Sequence, residues 1–183
     1  MTVFLIPAAP QTACQTLRDE VSFERAAQFL DSAQSRHLEA EFGGRLPLHC
    51  WAVTDGINKR YFDMMVPGDE LLFTETGSGR FQWRAAVKTT LECENLGLDL
   101  WPNRGPTGIQ KSRTKPWKFI YIVDNLKQVS FEKRIVLRTL GYASPNDTLG
   151  GLRRVPDWKV EELIARFQTV DGIMNSPLDP GTV

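Results

Sequence analysis

Apolar positions along this chain change period several times, and the changes mark out its elements. Near the start, Thr2 to Ile6 is a short apolar run suited to a buried strand. Phe23, Ala26, Ala27 and Leu30 then recur at helical spacing behind Ser22 as a cap. Arg25 stands where a capping box wants Glu, and Gly43-Gly44 closes the region. Leu48 to Thr54 reads as a strand, Asn58 to Met65 as a short helix and Pro67-Gly68-Asp69 as a turn. Glu70 to Thr74 is a second strand, followed by the glycine turn Thr76 to Gly79. Phe81, Trp83, Ala85 and Val87 recur at every second position, which predicts four apolar side chains on one face of a third strand. Two strands across so tight a turn make a hairpin.

Further on, Asn95 to Trp101 suits a short helix, and Pro102 to Pro116 is a long loop rich in Gly, Pro and cations. Lys118 to Val123 is another apolar strand; Ser130 to Leu140, with a serine cap, and Trp158 to Phe167 suit helices. Short strands mixed with short helices predict an α+β domain around a small, curved, mostly antiparallel sheet or barrel. The expected division is one domain over 1–174, with a helical extension at 1–46, a core at 47–125, C-terminal helices at 126–174 and a tail at 175–183.

Composition adds little to this and removes several options. Apolar residues are 42% of the chain, and 22 basic residues balance 22 acidic ones, so only a local patch argues for nucleic acid. No apolar run approaches the roughly 18 residues that span a bilayer, and the opening residues lack the basic start of a signal peptide. The expectation is a soluble, cytoplasmic protein. Three cysteines, Cys14, Cys50 and Cys93, and two histidines, His37 and His49, form no zinc pattern, so no metal and no cofactor is expected.

Catalytic patterns are equally scarce. Neither GxxxxGK[ST] nor GxSxG occurs. His49 and Cys50 are adjacent on a strand and point to opposite faces, which unsuits them as base and nucleophile. A metal nuclease needs carboxylates converging with a lysine near a scissile phosphate, and Asp69-Glu70, with Asp63 nearby, gives no convincing set. The chain is therefore expected to be no enzyme.

Binding chemistry collects in two places. Five tryptophans, Trp51, Trp83, Trp101, Trp117 and Trp158, include three beside strand ends or the long loop, where a flipped or single-stranded base can stack. From Arg104 to Lys118 the chain carries Arg104, Lys111, Arg113, Lys115 and Lys118 without an acid among them, and Lys59-Arg60 can join them on phosphates.

The same residues resemble a known family. Trp51-Ala52-Val53-Thr54 followed by Asn58-Lys59-Arg60 is similar to the tryptophan strand and NK helix of YTH domains. Leu71-Leu72-Phe73 with Gly77-Ser78-Gly79-Arg80-Phe81 resembles that family's LLF…GSG hairpin, and Trp101 with Trp117 to Ile122 its pocket loop and following strand. Pro67-Gly68-Asp69 is more like the bacterial EVE relatives. The resemblance spans roughly 48–125.

It implies a PUA-like fold of the EVE/YTH type and an aromatic cage for a modified base. Trp51 and Trp101 would be its walls, with Trp83 or Trp117 as a third. The Ala52 carbonyl would accept the base's exocyclic N–H, and Asp55 and Asn58 would meet its polar edge. Trp83 stands where the family has a small residue. Lys59, Arg60, Lys111, Arg113 and Lys115 would hold phosphates. The prokaryotic relatives add a setting: reading of modified duplex DNA in modification-dependent restriction, with a nuclease or NTPase domain or subunit as partner. Modified RNA, N6-methyladenine in particular, is the alternative ligand. A nuclease acting in its own right and a protein-interaction module are the other classes left open.

Overall fold

The structure is a computed structural model that describes residues 1–9, 14–43, 47–75, 77–102, 116–142, 149 and 151–167. Its centre is a six-stranded sheet in the order β2-β5-β4-β3-β1-β6. The strands are β1 (Val3–Ala8), β2 (His49–Val53), β3 (Glu70–Glu75), β4 (Arg80–Glu92), β5 (Phe119–Glu132) and β6 (Arg153–Arg154). Only β1 and β3 run parallel; the other neighbours are antiparallel. The helices are α1 (Phe23–Ala27), α2 (Ser32–Phe42), α3 (Ile57–Phe62), α4 (Glu94–Leu100), α5 (Lys133–Thr139) and α6 (Asp157–Phe167), with a π-helical turn at Cys14–Arg18.

The sheet is curled. Two strands separate β2 from β3, which in a flat sheet would put them about 14 Å apart. The rings of Trp51 on β2 and Phe73 on β3 nevertheless meet edge to face at 6.1 Å. The inner face thus closes on itself around Phe4, Ile6, Trp51, Phe73, Phe119 and Tyr121. The outer face carries two separate cores. One, around Leu5, Leu72 and Val136, lies under α5 and α6. The other, around Leu38, Ile120 and Trp101, lies under α1, α2 and α4. Helices on both ends of one sheet face explain why β1 and the first half of β5 are buried on both sides.

Local chemistry sets the boundaries. Ser22 caps α1, its hydroxyl accepting from the Arg25 N–H at 3.2 Å. Asp31 and Gln34 form a complete capping box on α2, and Gly43 ends that helix with φ of 64°. The hairpin between β3 and β4 turns on Gly77 and Gly79, both at positive φ.

Two expectations need correction. Phe81 does not share a face with Trp83, Ala85 and Val87: it packs with Val3, Leu5 and Leu72 on the outer side, while the other three line the inner face. The ladder slips between Phe81 and Trp83 on β4 and between Phe73 and Thr74 on β3. Such a bulge inverts every side chain beyond it; here the Gln82 amide oxygen takes up the Glu75 N–H at 2.8 Å. The second correction is Ser130, which does not cap a helix. It lies inside β5, which runs on to Glu132, and its hydroxyl accepts from Arg80 Nε at 2.9 Å. The helix begins only at Lys133. β1, where the apolar run Thr2 to Ile6 predicts a strand, lies within the sheet between β3 and β6.

Candidate functional site

Register decides which way β2 presents its residues. The Lys118 carbonyl accepts from the Cys93 N–H at 2.9 Å, so Lys118, Ile120 and Ile122 turn their backbone groups toward β4. Phe119, Tyr121 and Val123 therefore turn theirs toward β2, where Trp51 lies opposite Tyr121. By the same alternation the backbone of Ala52 points away from β5. The edge agrees: Leu48, in phase with Ala52, exchanges both its backbone bonds with Val21, at 2.7 and 2.9 Å. Side chains alternate as well, so Trp51 enters the inner core and Ala52 the outer one.

Three tryptophans separated by up to 66 positions in sequence come together in one row. Trp117 sits 5.4 Å from Trp51 and 5.6 Å from Trp101, ring centre to ring centre, with planes inclined at 58° and 52°. Trp51 is 2% exposed and Trp101 1%, whereas Trp117 is half-buried and packs against both the inner core and the core under α4. Trp101 closes α4, its N–H donating to the Gly97 carbonyl at 3.0 Å. Gly97 faces the backbone of Trp117 so closely that a Cβ there would lie 2.2 Å from the Trp117 carbonyl oxygen. That glycine is what lets α4 deliver Trp101 to Trp117.

Polar groups near this row are partly unmet. Trp101 Nε1 and the Tyr121 hydroxyl are both buried without a hydrogen-bond partner among the described residues, as is Trp83 Nε1. Burial pushes the Tyr121 phenol well above its ordinary pKa, so the hydroxyl keeps its proton. Trp83 stands on β4 opposite Phe73, in the same inner core as Trp51.

The remaining predicted positions are spread around the end of β2. Asp55 is exposed just past the strand. Asn58, on α3, accepts from the Leu152 N–H at 3.2 Å and lies so near Gly151 that a Cβ there would be 2.9 Å from its Oδ1. Its carbonyl oxygen thus holds the segment leading to β6. Lys59 pairs with Asp63 at 2.6 Å and lies over the Phe119 ring; Arg60 is exposed. Lys118 reaches the same ring and bonds Glu92 at 2.6 Å. Lys111, Arg113 and Lys115, with Arg104, lie outside the described residues.

The acids and the thiol considered for catalysis have structural occupations. Asp69 is buried and accepts from the Thr2 and Val66 N–H groups at 2.7 and 3.0 Å. Glu70 binds Arg84 through two bonds of 2.9 and 3.0 Å, at the edge of a cleft of about 300 Å³ also lined by Asn125 and Lys127. Burial pushes the Cys50 thiol up to about 12, with the Arg25 guanidinium opposing. Because the thiolate is the reactive form, iodoacetamide at about pH 8 is expected to leave Cys50 unlabelled in the folded chain and to label it in urea. Peptide mass spectrometry reads the outcome; rapid native labelling would contradict the burial.

No group of three potential metal ligands occurs among the described residues, and no helix among them is long and apolar enough to cross a membrane. Neither Gly97 nor Tyr121 was marked out by the sequence. Gly97 has no local turn signal, and Tyr121 is one of five consecutive buried strand residues, Phe119 to Val123.

No protein-family model and no curated protein matches the sequence. Solved structures do. The N-terminal domain of Thermococcus gammatolerans McrB bound to m5C DNA is 11% identical, with 92% of this chain and 98% of that one covered and a TM-score of 0.62. The YTH domain of Zygosaccharomyces rouxii MRB1, in complex with N6-methyladenosine RNA, is 16% identical over 92% and 88% of the two chains, at a TM-score of 0.44. Human THYN1, in complex with DNA containing 5-methylcytosine, is 11% identical over 91% and 97%, at 0.41. With its curled six-stranded sheet and its likeness to the McrB domain, the chain has the PUA-like fold.

Proposed function

We propose that this chain reads a modified nucleobase in DNA, as the specificity module of a modification-dependent restriction system in the cytoplasm. It does so as one PUA-like domain, without chemistry of its own. The observation that carries the reading is the row Trp51–Trp117–Trp101, which joins the inner core to the core under α4. The likeness to a McrB domain bound to m5C DNA supports DNA as the ligand.

In this reading Trp51 and Trp101 face the flipped base. Stacking contributes about 1–3 kcal/mol per base, comparable to the few kcal/mol that unstacking costs. A methyl group adds apolar area for the rings to cover. The exocyclic N–H that remains needs an acceptor, and the Ala52 carbonyl, turned away from β5, supplies one. Asp55 flanks the polar edge, Lys59 and Arg60 on α3 take phosphates, and Lys111, Arg113 and Lys115 extend that contact. Cleavage belongs to a nuclease or NTPase partner, in another domain or subunit.

Titration of the chain against one duplex sequence, unmodified or carrying N6-methyladenine, 5-methylcytosine or 5-hydroxymethylcytosine, tests the reading. One modified duplex is expected to bind at least about tenfold more tightly than the unmodified one, a difference of about 1.4 kcal/mol. Affinity is expected to fall as salt rises. Equal, salt-insensitive binding to all four duplexes would sink the proposal, and preference for the matching ribo-oligonucleotide would move the ligand to RNA.

A further inference from the structure

A base held between Trp51 and Trp101 needs a slot, and in this structure a third indole already fills the space between them. Trp117 lies 5.4 Å from one ring and 5.6 Å from the other, within the 4.5–7 Å range of favourable aromatic pairs. Yet it meets both at more than 50°, not in the parallel stack that a base between two faces would make.

The fit is also incomplete in its polar groups. Trp101 is 1% exposed and Tyr121 0%, and among the described residues neither Trp101 Nε1 nor the Tyr121 hydroxyl has a hydrogen-bond partner. Leaving such a group unmet costs about 1–3 kcal/mol. The indole of Trp117 has only an N–H donor, so it can give the Trp101 N–H nothing to donate to. A nucleobase carries ring nitrogens or carbonyl oxygens on its edge and can meet an N–H and a phenol together. Tyr121 lies beside Trp51, directly opposite it across the β2–β5 ladder.

Resting on the reader function, we propose that Trp117 is an internal occupant of the nucleobase site. It leaves when the modified base enters, and the base's acceptors then meet Trp101 Nε1 and the Tyr121 hydroxyl. The backbone of Trp117 stays where it is. The close approach of Gly97 to its carbonyl and the bond from Cys93 to the Lys118 carbonyl hold it, so the exchange is a rotation of the side chain. A site blocked by its own residue binds with an affinity reduced by the fraction of molecules that are open.

Two variants test this on the full chain, with whichever methylated duplex the unaltered protein prefers. Trp117→Ala is expected to tighten binding by about tenfold, because no side chain has to leave. Tyr121→Phe is expected to weaken it by about tenfold while the melting temperature stays level or rises, since the lost hydroxyl has no partner among the described residues. If Trp117→Ala does not fold, acrylamide quenching decides instead. Duplex binding should expose an indole in the unaltered chain and expose none in Trp117→Phe.

Weaker binding by Trp117→Ala would make Trp117 a wall and overturn the proposal, as would unchanged affinity in Tyr121→Phe. If the unaltered chain discriminates and Trp117→Ala binds no tighter, only the internal occupant is refuted. If neither chain distinguishes methylated from unmodified duplex, the reader function fails and this proposal with it.

Discussion

Replacing Gly97 by alanine is expected to destabilise the chain by about 3 kcal/mol, near the upper end of ordinary overpacking costs. On a solvent-facing helix the same change would stabilise by up to about 1 kcal/mol, since alanine is the better helix former. The sign therefore discriminates. Here the new methyl would lie 2.2 Å from the carbonyl oxygen and 2.9 Å from the carbonyl carbon of Trp117, and neither is a flexible side-chain end that can step aside. α4 has to lift from the start of β5, or Trp117 has to move. For a domain of this size about 3 kcal/mol corresponds to a fall of about 6–12 °C in Tm, readable by thermal denaturation. The same displacement separates Trp101 from Trp117, so modified-duplex affinity should change along with stability. A variant as stable as the parent would show that α4 does not pack against Trp117.

The second large effect belongs to Trp51. Trp51→Ala removes a side chain that is 2% exposed and touches both Phe73 and Trp117. The cavity left behind is expected to cost about 3–5 kcal/mol. Binding of the methylated duplex should fall to the level of the unmodified one. Trp51→Phe separates the two consequences, because it keeps an aromatic face while shedding the second ring. It should retain most of the stability and part of the preference. Melting curves and duplex titration on both variants give the answer. Undiminished preference in a folded Trp51→Ala chain would remove Trp51 from the site.

What could be read in advance, and what could not, follows from the range of the interactions. β2, the β3–β4 hairpin and the glycine turn were legible because period-two patterning and Gly77 and Gly79 are local signals. Ser22 announced its helix for the same reason, though the stronger cap, Asp31 with Gln34, passed unnoticed four positions beyond Ala27. The flip of Phe81 was not legible. The sequence alternates without a break there, and only pairing with both β3 and β5 shows where the register slips. The second half of β5 was lost because its side chains are only half-buried or exposed and six of its nine residues, all but Leu126, Val129 and Phe131, are polar, so Ser130 looked like a cap. Among the site residues, the three tryptophans were recognisable as a set by type and by flanking elements. Their order in space, with Trp117 in the middle, depends on Gly97 and on the register of β5 against β2. Neither is visible from one position at a time.

The position of β1 has a consequence for biosynthesis. Its register partners on β3 begin at Glu70, and on its other side it pairs with Arg153 and Arg154 of β6. A ribosome adding about 5–20 residues per second needs several seconds to deliver the first edge and about 7–30 s to deliver the second. Throughout that interval Val3 to Ala8, an apolar strand with open hydrogen-bonding groups, is in search of a neighbour. Pairings so distant in sequence also make the closing steps slow ones. β1 is thus the strand most exposed to mispairing during synthesis, and it is protected only once nearly all of the described sheet has been made.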